Sequence, residues 1–176
     1  MNGIILLVHA PLASAMLDCV SHIYGYVPDN ILAVNVHGDD TQQSIHKSIK
    51  LWIEEKRYDG YVILNDLHGA SPFNMGKAFI EKYQFNFSNH IHAVLPIIML
   101  TGLSLPMLMK SICHQNLPVN EMAIRSLEGV LQCSSMLKKQ LVDDAISGSV
   151  GIPDEKLTNT TVSGKYVMAS IAKTCK

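Results

Sequence analysis

The strongest constraint on this chain is the alternation of two hydrophobic periods along its first hundred residues. Ile4 to Val8 is an unbroken apolar run, as expected for a strand covered on both faces. Leu12, Met16, Cys19, Val20 and Ile23 then recur on one helical face, which Gly25 closes. Ile31 to Val36 is a second strand. Asp40 is expected to cap the next helix, with Gln43 completing a capping box and Ile45, Ile49, Trp52 and Ile53 as its buried stripe. Tyr61 to Leu64 is a third apolar run. Ser71 as N-cap with Pro72 at the first helical position predicts a helix running to about Lys82. Ile91 to Leu100 supplies a fourth strand. Pro96 cannot donate to a sheet ladder, so this strand begins late or lies near an edge. Ser104 with Pro106 opens a further helix, and Val119 onward gives another.

Repeated β-α units of this size predict an α/β doubly wound fold: a mostly parallel sheet with right-handed crossovers and helices on both faces. In such a sheet ligands bind beyond the carboxyl ends of the strands, where the strand order reverses. That rule selects His9-Ala10-Pro11, Asp66 to Pro72, and Thr101-Gly102. His37 to Asp40 lies on the same edge, one strand further out.

Composition narrows the partners. Lys and Arg number 14 against 15 Asp and Glu, a formal net charge of -1, so no strong field recruits nucleic acid or an anionic membrane. No stretch approaches the roughly 20 apolar residues needed to cross a bilayer. The start lacks a basic segment ahead of its apolar run and does not read as a signal peptide. Cys19, Cys113, Cys133 and Cys175 are widely separated, without C-x-x-C spacing. This argues against a structural zinc site or a dithiol centre and suits reduced thiols. A cytoplasmic protein is expected.

His9 is the first polar residue after a buried strand, at the carboxyl edge. It is either a functional imidazole or a histidine that merely caps the strand end. Asp66 leaves the third strand at the same edge. If strands one and three are neighbours, its carboxylate can hold one imidazole nitrogen and leave the other bare and nucleophilic. The bland alternative for Asp66 is a turn residue bonding its own backbone. Gly69, Ala70 and Ser71 are small residues leading into a helix N-terminus, whose amides and dipole suit an anion. Together these are the parts that phosphoryl transfer needs, because that chemistry is mostly positioning and charge stabilisation. His9, His37 and His68 with Asp39 or Asp66 are a poorer metal site, since no pair has helical i, i+4 spacing. Met99, Met107 and Met109 read as packing residues, and His90 and His92 as solvated ones.

With these residues in place, the sequence resembles the IIA component of the mannose/fructose/sorbose class of the bacterial phosphoenolpyruvate:sugar phosphotransferase system (PTS). Ile4 to His9 followed by Pro11-Leu12-Ala13 is similar to the family's strand, active-site histidine and first helix. Leu64-Asn65-Asp66-Leu67-His68-Gly69-Ala70-Ser71-Pro72-Phe73-Asn74 resembles its Asp-Leu-Phe-Gly-Gly-Ser-Pro-Phe-Asn segment. Leu100 to Leu108 is similar to its Gly-Val-Asn-Leu-Pro-Met-Leu turn, and Leu127-Glu128-Gly129-Val130 resembles its last strand. The match covers Met1 to about Cys133, so the chain divides into a 1–133 domain and a 134–176 extension.

The resemblance implies a phosphocarrier enzyme. Phosphorylated HPr would donate to His9 at Nε2 while Asp66 holds Nδ1. The phosphoryl group would sit against Ser71 and the neighbouring amides, then pass to a IIB protein. His68, Thr101 and Gly102 are accessory candidates, and no cofactor or metal is implied. The implied sheet has order 2-1-3-4 plus an antiparallel edge strand exchanged in a homodimer, which Glu128 to Cys133 would supply, covering an exposed edge. Association with a permease would be peripheral. The alternative is a regulatory module whose His9 phosphorylation controls a partner without sugar transport. A weaker one, a subunit that phosphorylates a dihydroxyacetone kinase, is disfavoured by the Gly-Ala-Ser-Pro-Phe-Asn segment. Ala10, His68, Ala70 and Ser104 depart from the family's usual Gly, aromatic, Gly and Asn. Ala70 should therefore avoid positive φ. The 134–176 segment has no functional reading and is expected to be a structured extension on the dimer, because its charge is low.

Overall fold

The apolar runs become strands because each can bury both faces of a pleated ribbon between helices. The computed structural model describes residues 1–88 and 95–133, without the side chains of 84–88. Strand β1 (Gly3–His9) is buried at six consecutive positions and emerges at His9. Strands β2 (Ile31–Val36), β3 (Tyr61–Asn65) and β4 (Ile97–Thr101) join it in one parallel sheet, order β2-β1-β3-β4. The chain passes from β1 to β2 on one side and then returns to β3 on the other side of β1, so the order reverses between β1 and β3. Ligands in such sheets bind at that reversal.

Helices α1 (Leu12–Tyr24), α2 (Gln42–Lys56), α3 (Ser71–Ser88), α4 (Leu105–Cys113) and α5 (Val119–Cys133) cover the two faces. Alternate residues of β1 point to opposite sides. Ile4, Leu6 and Val8 pack with Val62 and Leu64 against α1, α4 and α5, through Val20, Leu108 and Met122. Ile5 and Leu7 pack with Tyr61 and Ile63 against α2 and α3, through Ile49, Ile53 and Phe79. Each fully buried Leu or Ile contributes about 1.5–3 kcal/mol relative to exposure, so the central strands hold the site's edge rigid. Met107 and Met109 are buried and Met99 packs against the second cluster, as packing residues should.

β4 begins directly after Pro96 and is the edge strand of the described sheet, which is where a residue without an N–H is tolerated. Its expected beginning, and His90 and His92, lie outside the described residues. Gly25 ends α1 at φ +80 and donates its N–H to the Ser21 carbonyl. Ser104 caps α4, accepting from the Met107 amide at 3.3 Å; Asn and Ser are both good N-caps, so this departure keeps the function of the position.

Several expectations are corrected. Thr41, not Asp40, caps α2, its hydroxyl accepting from Ser44 N at 3.1 Å. Asp40 instead accepts from His37 N at 2.8 Å, closing the preceding turn. Helix α3 runs to Ser88, past Lys82. Glu128 to Cys133, expected as an exchanged antiparallel strand, are the last turns of α5. The reason is periodic: Val119, Met122, Ala123, Ser126 and Gly129 form one buried helical face. The expectation of reduced thiols holds for Cys19 and Cys133, which are free, but not for Cys113, which is disulfide-bonded. The chain separates into two compact units, Met1–Val130 and Leu131–Lys176; all of the second beyond Cys133 lies outside the described residues. No described helix is long and apolar enough to cross a membrane.

Candidate functional site

His9 stands where β1 leaves the core, and Asp66 is the first residue after β3. Because β1 and β3 are neighbours, the two side chains meet: His9 Nδ1 lies 2.7 Å from Asp66 Oδ2. An ionised carboxylate can only accept, so Nδ1 carries the proton and Nε2 is left with a free lone pair. The same Asp66 oxygen accepts the His9 amide at 3.1 Å, and Oδ1 accepts the Leu67 amide at 2.9 Å. Asp66 therefore does both things its position allowed: it orients the imidazole and it stabilises its own turn.

Exposure separates the roles of the pair. The His9 side chain is 47% exposed and Asp66 15%, so the ring can meet a macromolecular partner while the carboxylate stays sheltered. Partial burial pushes the Asp66 carboxyl upward. The hydrogen bonds from the His9 ring and amide, the His9 charge and the Leu67 amide outweigh it and hold the group below its ordinary value of 3.8.

The segment after Asp66 turns into α3. Gly69 takes φ +80, a conformation that suits a residue without Cβ, and the Ala70 N–H returns to the Leu67 carbonyl at 3.3 Å. Asn74 reaches back, donating Nδ2 to the Gly69 carbonyl at 2.9 Å. The first bond of α3 runs from Asn74 N to Ala70 O, so Ala70 is the half-helical residue and Ser71 already lies inside the helix. The N-cap is thus Ala70, one residue before the expected Ser71. Pro72, the second helical residue, has no N–H, so Ser71 and Phe73 supply the leading amides of the positive helix end. Ser71 is exposed. Ala70 avoids positive φ, as its replacement of a glycine requires.

The remaining candidates flank this pair. Thr101 ends β4 opposite Asn65, and Gly102 follows at φ +82; the Leu103 amide then bonds the Asn65 carbonyl at 2.9 Å, tying this turn to the end of β3. His68 is exposed and lays its ring on Phe73, centroids 4.3 Å apart. His37 sits at the far end of β2, in the turn closed by Asp40. Among the described residues no three His, Cys, Asp or Glu side chains are grouped to hold a metal.

Three asparagines escaped the sequence reading. Asn35 of β2 accepts the Ala13 amide at 2.9 Å and donates to Ser14 Oγ at 2.6 Å, fixing the start of α1. Asn65 is fully buried and donates Nδ2 to the Leu7 carbonyl at 2.8 Å. Asn74 clamps the Gly69 turn. The available signal was a polar residue inside or just behind an apolar run at the functional edge.

Comparison with known proteins identifies the fold and the family. No curated protein sequence matches. Among solved structures, the phosphotransferase system component EIIA from Streptococcus agalactiae superposes with a TM-score of 0.65 at 18% identity, over 77% of this chain and 97% of that one. The mannose/sorbose specific IIA subunit of the phosphotransferase system from Enterococcus faecalis gives 0.61 at 17%, over 88% and 98%. A sigma-54 interaction domain protein from Enterococcus faecalis gives 0.54 at 17%, over 76% and 97%. At these identities the likeness shows the fold alone. The family model for the PTS system fructose IIA component matches residues 3–128, a span that holds every described strand and the whole His9–Asp66 edge. On that match the chain belongs to the fructose/mannose IIA family of the sugar phosphotransferase system, whose members are phosphocarrier components.

Proposed function

We propose that His9 accepts a phosphoryl group at Nε2 from phosphorylated HPr and hands it to a IIB protein. The observation that carries this reading is the 2.7 Å Nδ1–Asp66 bond on a half-exposed ring, which leaves Nε2 bare and outward. In the first step the P–N bond of the donor breaks as the Nε2 lone pair forms a new P–N bond. The Nδ1 proton stays in place, so the phosphorylated ring becomes cationic and the Asp66 carboxylate neutralises it. The Ser71 hydroxyl and the leading amides of α3 are assigned to the phosphoryl oxygens, with Gly69 and Ala70 shaping the turn. Delivery to IIB is the same step in reverse.

The transfer chemistry is assigned to residues 1–133, in a cytoplasmic homodimer that associates peripherally with a permease. Incubation with enzyme I, HPr and phosphoenolpyruvate, followed by mass spectrometry, should yield one acid-labile phosphoryl adduct that is absent in His9→Ala. No adduct in the wild type, or one that survives His9→Ala, overturns the reading.

A second reading keeps the chemistry and changes its output: the phosphorylation state of His9 controls a partner, without sugar transport. The fold shared with a sigma-54 interaction domain protein supports it. Transfer from phosphorylated chain to IIB proteins separates the two, since a regulatory module forms the adduct and passes it to none.

A further inference from the structure

The β1–β3 ladder stops before the site does. Its last paired residues are Leu6 and Leu64, whereas β1 stays paired with β2 through His9 and Val36. Gly3 N bonds Gly60 O, and the regular alternation of a parallel ladder would then give the Leu7 carbonyl and the His9 amide to the backbone of Asp66. Side chains take both instead. Asn65 Nδ2 holds the Leu7 carbonyl at 2.8 Å, and Asp66 Oδ2 holds the His9 amide at 3.1 Å. The strand ends therefore part, and Asn65 spans the gap at its base. This parting is what lets one carboxylate oxygen reach both the His9 amide and Nδ1.

We propose that Asn65 is a positioning residue for phosphoryl transfer: its amide braces the parted ends of β1 and β3 so that Asp66 can grip the His9 ring. The proposal rests on the phosphocarrier reading and adds a residue to it. Two details support it. Asn65 is wholly buried, and its Oδ1 has no hydrogen-bond partner among the described groups, a cost that an apolar side chain of similar size avoids. The nitrogen, by contrast, makes a bond that no apolar side chain can replace. The opposite flank is braced the same way, with Asn35 fixing Ala13 and Ser14 and the Ala10 amide bonded to the Val36 carbonyl at 3.0 Å. His9 lies between two asparagine anchors, one on each neighbouring strand.

Asn65→Leu removes the donor at nearly constant volume. A displacement of the ring by a fraction of an ångström to 1 Å predicts a kcat for transfer from phosphorylated HPr lowered about tenfold to a hundredfold. KM for that donor should be unchanged, because Asn65 is buried and cannot touch it. Nitrogen NMR of the His9 ring should move from a single Nδ1–H tautomer toward a mixture. A folded Asn65→Leu protein with wild-type kcat and ring signals overturns the proposal. Should that variant fail to fold, the wild type decides: the Asn65 side-chain amide must exchange with deuterium as slowly as core amides of β1, and exchange at the rate of an exposed amide refutes the brace. A wild type that accepts no phosphoryl group sinks the phosphocarrier reading instead, while the ring signals and amide exchange still judge Asn65.

Discussion

Asp66→Asn is the most direct test of how the site is wired. The substitution keeps size and hydrogen-bonding reach but turns one acceptor oxygen into an NH2 donor. The remaining oxygen can serve only one of the two neighbouring amides that Asp66 now accepts from, His9 N and Leu67 N. If the new NH2 faces the ring, Nδ1 must become the acceptor and the proton moves to Nε2, where it blocks attack. The size of the effect follows from the bonds. A hydrogen bond to a charged group is worth about 1.5–3 kcal/mol, and the neutral bond favouring the wrong tautomer about 1 kcal/mol. Their sum, about 2.5–4 kcal/mol, corresponds to a loss of about 10²- to 10³-fold in rate at 1.36 kcal/mol per tenfold. Half-exposure of the ring places the expectation at the lower end, near 10²-fold. Rapid-quench transfer from phosphorylated HPr measures it, with circular dichroism to establish that the variant folds. A folded Asp66→Asn protein transferring within about threefold of wild type would refute the claim that Asp66 sets the tautomer.

Three further outcomes are expected. Asp66 is held below 3.8, so its ionised form stabilises the fold fully above the carboxylate's unfolded value, and that contribution is lost as pH falls through the lower folded value. Thermal melts should show the Tm gap between wild type and Asp66→Asn closing as pH falls below about 4; a gap that widens below that pH contradicts the sign. Thr41→Ala should cost about 0.5–2 kcal/mol in urea titrations by removing the α2 cap, whereas Asp40→Ala should stay within about 0.5 kcal/mol. Equal losses would return the cap to Asp40. In α5, a Cβ on Gly129 would sit 2.5 Å from Lys110 Cγ and 3.0 Å from the Pro106 carbonyl oxygen. Gly129→Val should therefore destabilise by about 1–3 kcal/mol, and a variant as stable as wild type would mean that α5 does not lie on α4 at this point.

What the residues disclosed was uneven for a physical reason. The order of elements, the functional edge and the His9–Asp66 pairing depend on long apolar runs and on the reversal rule, both of which are patterns over many residues. Caps depend on one hydroxyl choosing between neighbours. Asp40 and Thr41 are both competent N-caps, and only the fold shows that Asp40 is engaged by the His37 amide. The cap expected at Ser71 falls one residue late for the same reason, since an Ala at the half-helical position carries no side-chain signal. Asn65 was hidden because its partner is a backbone carbonyl on another strand, 58 residues away in sequence.

The end of α5 shows which kind of signal prevails when two conflict. Four residues, Leu127 to Val130, resemble a family strand, and their Leu and Val suit one. Fifteen residues, Val119–Cys133, carry a buried helical stripe. A strand at the end of that stretch would have to strip Gly129 from the face that Met122, Ala123 and Ser126 begin. Ser126 Oγ lies 2.7 Å from Ser111 Oγ of α4, both fully buried, and the missing side chain of Gly129 lets the next turn approach α4 as closely. Local resemblance suggests an element type, but the element has to bury a face, and a stripe three or four turns long specifies that face where a tetrapeptide cannot.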